Sequence, residues 1–253
     1  MKAVLSANPR RVSDFVLTVI YAGRAFLGFW RPGDLVWTRL LSSPPRYPTF
    51  RDVTYHDGKF YAVSTVGQVC VWDHKSSPHA FQLFLIIDRE FFLPFREAYV
   101  VESSSSGSDE LLVVTRNGTD VNGFDVEDLA DVVDWSYGVT NFKVLRLDVT
   151  KCEWEGITSL GMNAIFVGHG AAKSVLASDF PGVVKPNCIY FTDDCIECYC
   201  YHEISESKGR GGGLLGLGGG EDMGTYNLED GSIERFSDIQ SYSFICPPIW
   251  IRL

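Results

Sequence analysis

The sequence predicts an all-β protein built of antiparallel sheets. Three observations carry that expectation: runs of alternating apolar and polar residues, turn dipeptides between the runs, and recurrence of the pattern along the chain. The 253 residues are 45% hydrophobic, enough to bury a substantial core without staples. In DVTYHDGKFYAVSTVGQVCVWD (Asp52 to Asp73) two such runs fold about glycines. Asp57-Gly58 favours a two-residue turn with positive φ, and Phe60, Ala62 and Ser64 alternate with Tyr61, Val63 and Thr65. His56, Asp57 and Lys59 stand close enough together to suggest acid/base chemistry, but the period-2 pattern makes the segment a hairpin.

The same design recurs. FLGFWRPGDLVWTRL (Phe26 to Leu40) is an apolar run, a Pro-Gly-Asp break and a second run through Trp37; Trp72 follows 35 positions on, and Trp154 after about twice that. TYNLEDGSIERF (Thr225 to Phe236) repeats it with Asp230-Gly231 at the tip. A unit of roughly 40 residues points to radially stacked four-stranded sheets, a propeller-like fold of kelch- or WD-like blades. Trp37, Trp72 and Trp154 are then expected to pack in the core between sheets. Further strands are expected at Ala98 to Glu102, Leu111 to Arg116, Asn163 to Val167 and Asn187 to Thr192. VESSSSGSDELLVV reads as a hairpin whose turn is lengthened by serines, and Asn122 to Trp135 as a short helix or a loop. KGRGGGLLGLGGG (residues 208–220) contains G-x-G-x-x-G without strand-loop-helix context, so it is expected to be an exposed flexible loop.

A net charge of −10 argues against a general affinity for nucleic acid and for a basic or neutral protein partner. Ser13 and Asp14 interrupt any signal-peptide core, and Arg24 breaks the run FVLTVIYAGRAFLGFW, so neither a leader nor a membrane span is expected. With an odd count of seven cysteines, the expected compartment is reducing, cytosol or nucleus, and Asn117-Gly118-Thr119 is only a turn.

Candidate chemistry is thin. Cys188, Cys195, Cys198, Cys200 and His202 offer thiolates and one C-x-x-C knuckle, but a structural zinc ordinarily pairs two knuckles, and no metal is expected. Asp193, Asp194 and Glu197 read as a solvated turn rather than a catalytic pair, and His169 as a turn residue without a nucleophile partner. No catalytic residue and no cofactor is expected. Arg31, His56, Lys59 and Arg116 lie in or beside turns, where recognition on a β scaffold usually sits, and are the candidates for partner contact.

The blocks RPGDLVWTRL, DVTYHDGKFYAV, ELLVVTR, FKVLRLD…W, NCIYFTDD, YNLEDGSIERF and PPIWIRL, in this order, resemble the plant DUF295 family, the KIB1-4-type β-propeller domain found behind an F-box. The resemblance covers nearly the whole chain as one domain, residues 1–253. It implies a propeller and, for F-box members, presentation of targets to a cullin-based ubiquitin ligase; some relatives bind GSK3-like kinases. This chain opens in what resembles the middle of the propeller, with no amphipathic helix in Met1 to Arg11 to engage an adaptor. The expectation is therefore a protein-binding, non-enzymatic module, truncated at its front, that either forms an open arc with Phe15, Leu17 and Ile20 exposed or is unstable without a partner. Alternatives are a stand-alone kinase-binding or decoy module and an enzyme using a central pocket.

Overall fold

The computed structural model describes residues 2–22, 26–40, 49–64, 67–75, 83–86, 97–105, 108–119, 138–148, 151, 153–170, 172–194, 222–236 and 250. They form four sheets. The first is β1 (Lys2–Leu5), β2 (Leu17–Tyr21), β3 (Phe26–Trp30) and β4 (Thr38–Arg39), paired in that order. The second repeats the plan with β5 (Phe50–His56), β6 (Lys59–Ser64), β7 (Gln68–Trp72) and β8 (Leu83–Ile86), and the third with β9 (Glu97–Ser105), β10 (Ser108–Thr119), β11 (Gly138–Asp148) and β12 (Glu153–Ile157). Their first strands begin at Lys2, Phe50 and Glu97, 48 and 47 residues apart, so the repeat read from the sequence is real. Its landmark differs: Trp30 and Trp72 close the third strands of successive sheets, whereas Trp37 precedes β4.

The fourth sheet departs from the plan. It holds β13 (Asn163–Val167), β14 (Lys173–Leu176), β15 (Cys188–Phe191), β16 (Gly224–Asn227) and β17 (Ile233–Arg235) in the order β14-β13-β15-β16-β17. β13 and β15 are parallel, because the chain between them first turns back as edge strand β14 and then passes through a single 3-10 turn at Ala177–Asp179. The chain divides into two compact units, residues 1–115 with 143–157 and residues 116–142 with 158–253.

In the first unit the alternation of β6 and β7 serves two cores. Tyr61, Val63, Val69 and Val71 join Ala98, Val100, Leu111, Val113, Leu145 and Leu147, with Trp154 packed at the margin. Phe60, Ala62, Cys70 and Trp72 point the other way and join Val16, Ile20, Leu27, Phe29, Phe50 and Val53. A strand buried on both faces must be apolar at odd and even positions alike, and this one is. Trp72 is fully buried, stacked on Phe60 at 5.0 Å and tilted against Phe29 at 4.7 Å. Asp57 (φ 42°) and Gly58 (φ 79°) make the tight β5–β6 turn with both central residues left-handed. Ile20, expected to be exposed, is 2% accessible, because β1 and β2 complete a four-stranded sheet whose inner face it lines; Phe15 and Leu17 are half-buried.

In the second unit, Phe166 stacks on Tyr190 at 4.6 Å, and Trp250 stands edge-on to Phe166 while donating its Nε1–H to the Val167 carbonyl at 2.9 Å. Asp230-Gly231 lies at the tip of the β16–β17 hairpin, where the Gly231 N–H donates to the Asn227 carbonyl at 2.9 Å. Three expectations change. The serine run extends strand rather than turn, since β9 continues to Ser105 and β10 begins at Ser108. Asn117-Gly118-Thr119 is strand, with the Asn117 amide donating to Asn141 at 2.7 Å. Asp193 and Asp194 are buried, not solvated. The helix at 122–135, the glycine-rich loop at 208–220, Glu197 and the cluster Cys195, Cys198, Cys200 and His202 lie outside the described residues. Among the described residues no helix is long and apolar enough to cross a membrane.

Candidate functional site

Up-and-down strand order brings the β1–β2 loop, the β3–β4 loop, the β5–β6 turn and the segment after β7 to one end of the first unit. The β3–β4 loop is the prominent feature there. Arg31 N–H donates to the Asp34 carboxylate at 2.9 Å, Trp30 Nε1–H donates to the Asp34 carbonyl at 2.9 Å, and Gly33 takes the positive φ of 95° that the tight bend requires. The Arg31 guanidinium lies over the Phe29 ring at 5.2 Å and donates to the His74 carbonyl at 2.7 Å, tying the loop to the neighbouring sheet. Beyond this pinned turn Leu35, Val36 and Trp37 are 99%, 72% and 52% exposed. Trp37, expected in the core, stays outside because β4 spans only Thr38–Arg39 and its pairing with β3 begins after the tryptophan.

Beside the loop, His74 meets Tyr55, Phe60 and Trp72 at ring distances of 6.0, 5.9 and 6.1 Å. Burial, with the cations Arg31 and Lys75 close by, holds its imidazole below the ordinary histidine range, against the opposing pull of Asp73 and Asp14. Tyr55 is raised by burial and by the carboxylates of Asp73 and Asp57. His56 Nδ1 lies 2.9 Å from the Glu102 carboxylate, whose side chain is half exposed. Three of the four residues singled out from the sequence, Arg31, His56 and Lys59, thus share this end, two of them already committed to contacts within the protein.

Arg116 belongs elsewhere and is not a turn residue. It sits in β10, fully buried in the second unit. Its Nη1 donates to the Thr192 carbonyl and to Asp194 Oδ1, each at 2.7 Å, and its Nη2 to the carbonyl and Oδ2 of Asp222, at 3.1 and 2.7 Å. Asp222 also accepts from the Val139 N–H at 2.9 Å and from Arg235, half exposed, at 2.5 Å. Two guanidinium groups and two carboxylates cancel within this group, so the buried charges are tolerated. Cys188 is buried in β15, where desolvation raises its thiol. His169 lies in the bend after β13.

The KIB1-4 beta-propeller family model matches residues 1–227. The chain belongs to this β-propeller family. Similar proteins include "Putative F-box protein At3g25750", 24% identical over 84% of this chain and 48% of its own length, and F-box protein SKIP23, 23% identical over 93% and 53%, both from Arabidopsis thaliana. "Putative F-box protein At5g55150" of the same plant is 28% identical over 76% and 48%. The chain spans about half the length of these relatives. As a member of a propeller family with F-box relatives, it has the character of a protein-interaction module, and its repeated sheets are propeller blades.

Sequence reasoning missed Leu35 and Val36 as surface residues. Three consecutive apolar residues behind a Pro-Gly-Asp turn have the pattern of a returning strand, and only the shortness of β4 reveals otherwise. A second exposed apolar group in this family member, Met162, Leu176, Phe180 and Val183, lies at the edge of the fourth blade.

Proposed function

We propose that this chain recognises another protein through the loop end of its first two blades, performs no chemistry itself, and acts as the target-recognition part of an F-box type, cullin-based ubiquitin ligase in the cytosol or nucleus. The observation that carries the reading is the exposure of Leu35, Val36 and Trp37 on a turn whose base is hydrogen-bonded and pinned to the next blade. An adjacent apolar triplet that ends in a tryptophan is what a protein partner buries as an anchor, and the turn that carries it is already held at its base, which lowers the entropy lost on binding. Arg31, His56 and Lys59 form the polar rim. Arg116 is too deeply buried to touch a partner. A hydrolytic or transfer reaction finds no support: Asp193 and Asp194 are buried, and Asp194 is bonded to Arg116.

The test compares proteins captured from plant extract by the wild-type chain with those captured by a Leu35→Ser/Trp37→Ser variant and by a Met162→Ser/Phe180→Ser control. A partner lost only with the first variant, confirmed by direct titration of the purified proteins, is the expected result. Equal capture by all three overturns the proposed surface. Joining the chain to an F-box and reconstituting the ligase then separates two roles: ubiquitin transfer to the captured protein supports target recognition, and capture without transfer supports a stand-alone binding or decoy module.

A further inference from the structure

The β1–β2 loop carries the only two adjacent arginines of the chain, in NPRRVSDF, with Ser13 three residues after Arg10 and two after Arg11. On a chain of net charge −10 this basic pair stands out. Arg10, Arg11, Val12, Ser13 and Asp14 are all exposed. The loop is held at its base and closed at its tip by exposed hydrogen bonds. At the base, Ser6 N–H donates to the Val16 carbonyl at 2.9 Å, Val16 N–H donates to Ser6 Oγ at 2.8 Å, and Phe15 rests against Trp30 at 6.3 Å. At the tip, Asn8 accepts from Arg10 through its side chain at 2.9 Å and from Arg11 and Val12 through its carbonyl at 2.9 and 3.2 Å. The Ser13 hydroxyl takes part in none of the bonds that close the loop. Those at the tip are exposed, and opening them is a local event that leaves the sheet intact.

From this arrangement we propose that Ser13 is a phosphorylation site for an arginine-directed serine/threonine protein kinase. Such a kinase lines its peptide groove with carboxylates that pair with guanidinium groups two and three residues before the acceptor, and it needs the acceptor on a segment that can lie extended. Ser13 meets both demands. In the transfer the kinase takes the proton of the Ser13 hydroxyl, Oγ bonds to the γ-phosphorus of magnesium ATP, the bond from that phosphorus to the bridging oxygen breaks, and ADP leaves. Two other pairs in which both residues are described have the same spacing, Arg51 with Thr54 inside β5 and Arg116 with Thr119 inside β10, and neither acceptor can extend into a groove without unpairing its blade.

The modification changes the loop end where partner recognition was placed above, but does not depend on that reading. Arg10, Arg11 and Asp14 give the loop one net positive charge; a phosphate of about −1.5 to −2 turns it negative beside Arg31 and Lys75.

The test incubates the purified full chain with the catalytic domain of an arginine-directed kinase and ATP, followed by intact mass and peptide mapping. The expected result is a single phosphoryl group on Ser13, lost in Ser13→Ala. Arg10→Ala/Arg11→Ala is expected to lower kcat/KM roughly a hundredfold, the effect of two lost charge-assisted contacts. The thermal melts of both variants should match wild type, since all three side chains are exposed. Phosphate placed on another residue, incorporation into Ser13→Ala equal to wild type, or an undiminished rate in the double arginine variant would each overturn the proposal.

Discussion

Replacing Arg116 by methionine tests whether the buried ion group holds the second unit together. The guanidinium is fully buried and makes four hydrogen bonds, two to carboxylates and two to carbonyls. Methionine fills much of the volume but donates nothing. Asp222 keeps Arg235 and the Val139 N–H, while the Asp194 carboxylate, 3% exposed, loses the cation at 2.7 Å. Breaking a buried pair from one side costs about 3–5 kcal/mol, against about 5–15 kcal/mol of total stability for a typical domain. In urea, at a slope of about 2 kcal/mol per M, the midpoint of the second unit should fall by about 1.5–2.5 M. The decisive comparison adds Asp194→Asn and Asp222→Asn to Arg116→Met. Both asparagines retain acceptor oxygens but carry no charge, so much of the loss should return. A midpoint for Arg116→Met within about 0.3 M of wild type, or a triple variant worse than the single one, would refute the view that an uncompensated buried charge sets the cost.

Gly58→Ala should destabilise the first unit by about 1 kcal/mol, because φ at this position is 79° and an L side chain resists it; Gly58→Asn should cost less, as read by urea melts. Cys70, whose thiol burial pushes up to about 12, should resist iodoacetamide in the native state and react only once the chain unfolds, followed by peptide mass. His74 is held neutral by burial and by Arg31 and Lys75, so its folded form takes a proton less readily than the unfolded chain. Its contribution to stability is therefore present above the ordinary histidine pKa of about 6.5 and is lost as pH falls below it; His74→Gln should flatten that part of the stability profile.

What the sequence made legible is what depends on near neighbours. The β5–β6 hairpin and its Asp57-Gly58 tip follow from alternation and turn chemistry within about ten residues, and both are found where expected. The 3-10 turn and the parallel pairing of β13 with β15 had no such local sign. Arg116 illustrates the limit most clearly. Its partners lie 76, 78 and 106 residues away, so nothing near it distinguishes a buried ion from a turn residue. Trp37 is outside for a smaller reason: pairing of β4 starts at Thr38, three residues after the apolar run begins at Leu35.

The same distinction bears on how a partner should bind. The net charge of −10 favours a basic or neutral partner, but that number averages over the whole surface. At the loop end of the first unit Arg10, Arg11, Arg31, Lys59 and Lys75 face Asp14, Asp34, Asp57 and Asp73, and Glu102 stands against His56. Those charges nearly cancel, so the apolar triplet of Leu35, Val36 and Trp37 should supply most of the binding energy, through burial that salt does not screen. The affinity of a partner captured at this surface should therefore change less than about threefold between about 0.05 and 0.5 M salt, measured by titration calorimetry of the purified pair. Trp37→Ala should weaken it by about 2 kcal/mol or more while leaving the melting temperature unchanged, because the side chain is already half exposed. A steep loss of affinity with salt, together with an intact complex in Trp37→Ala, would show that the acidic surface and not the exposed triplet carries recognition.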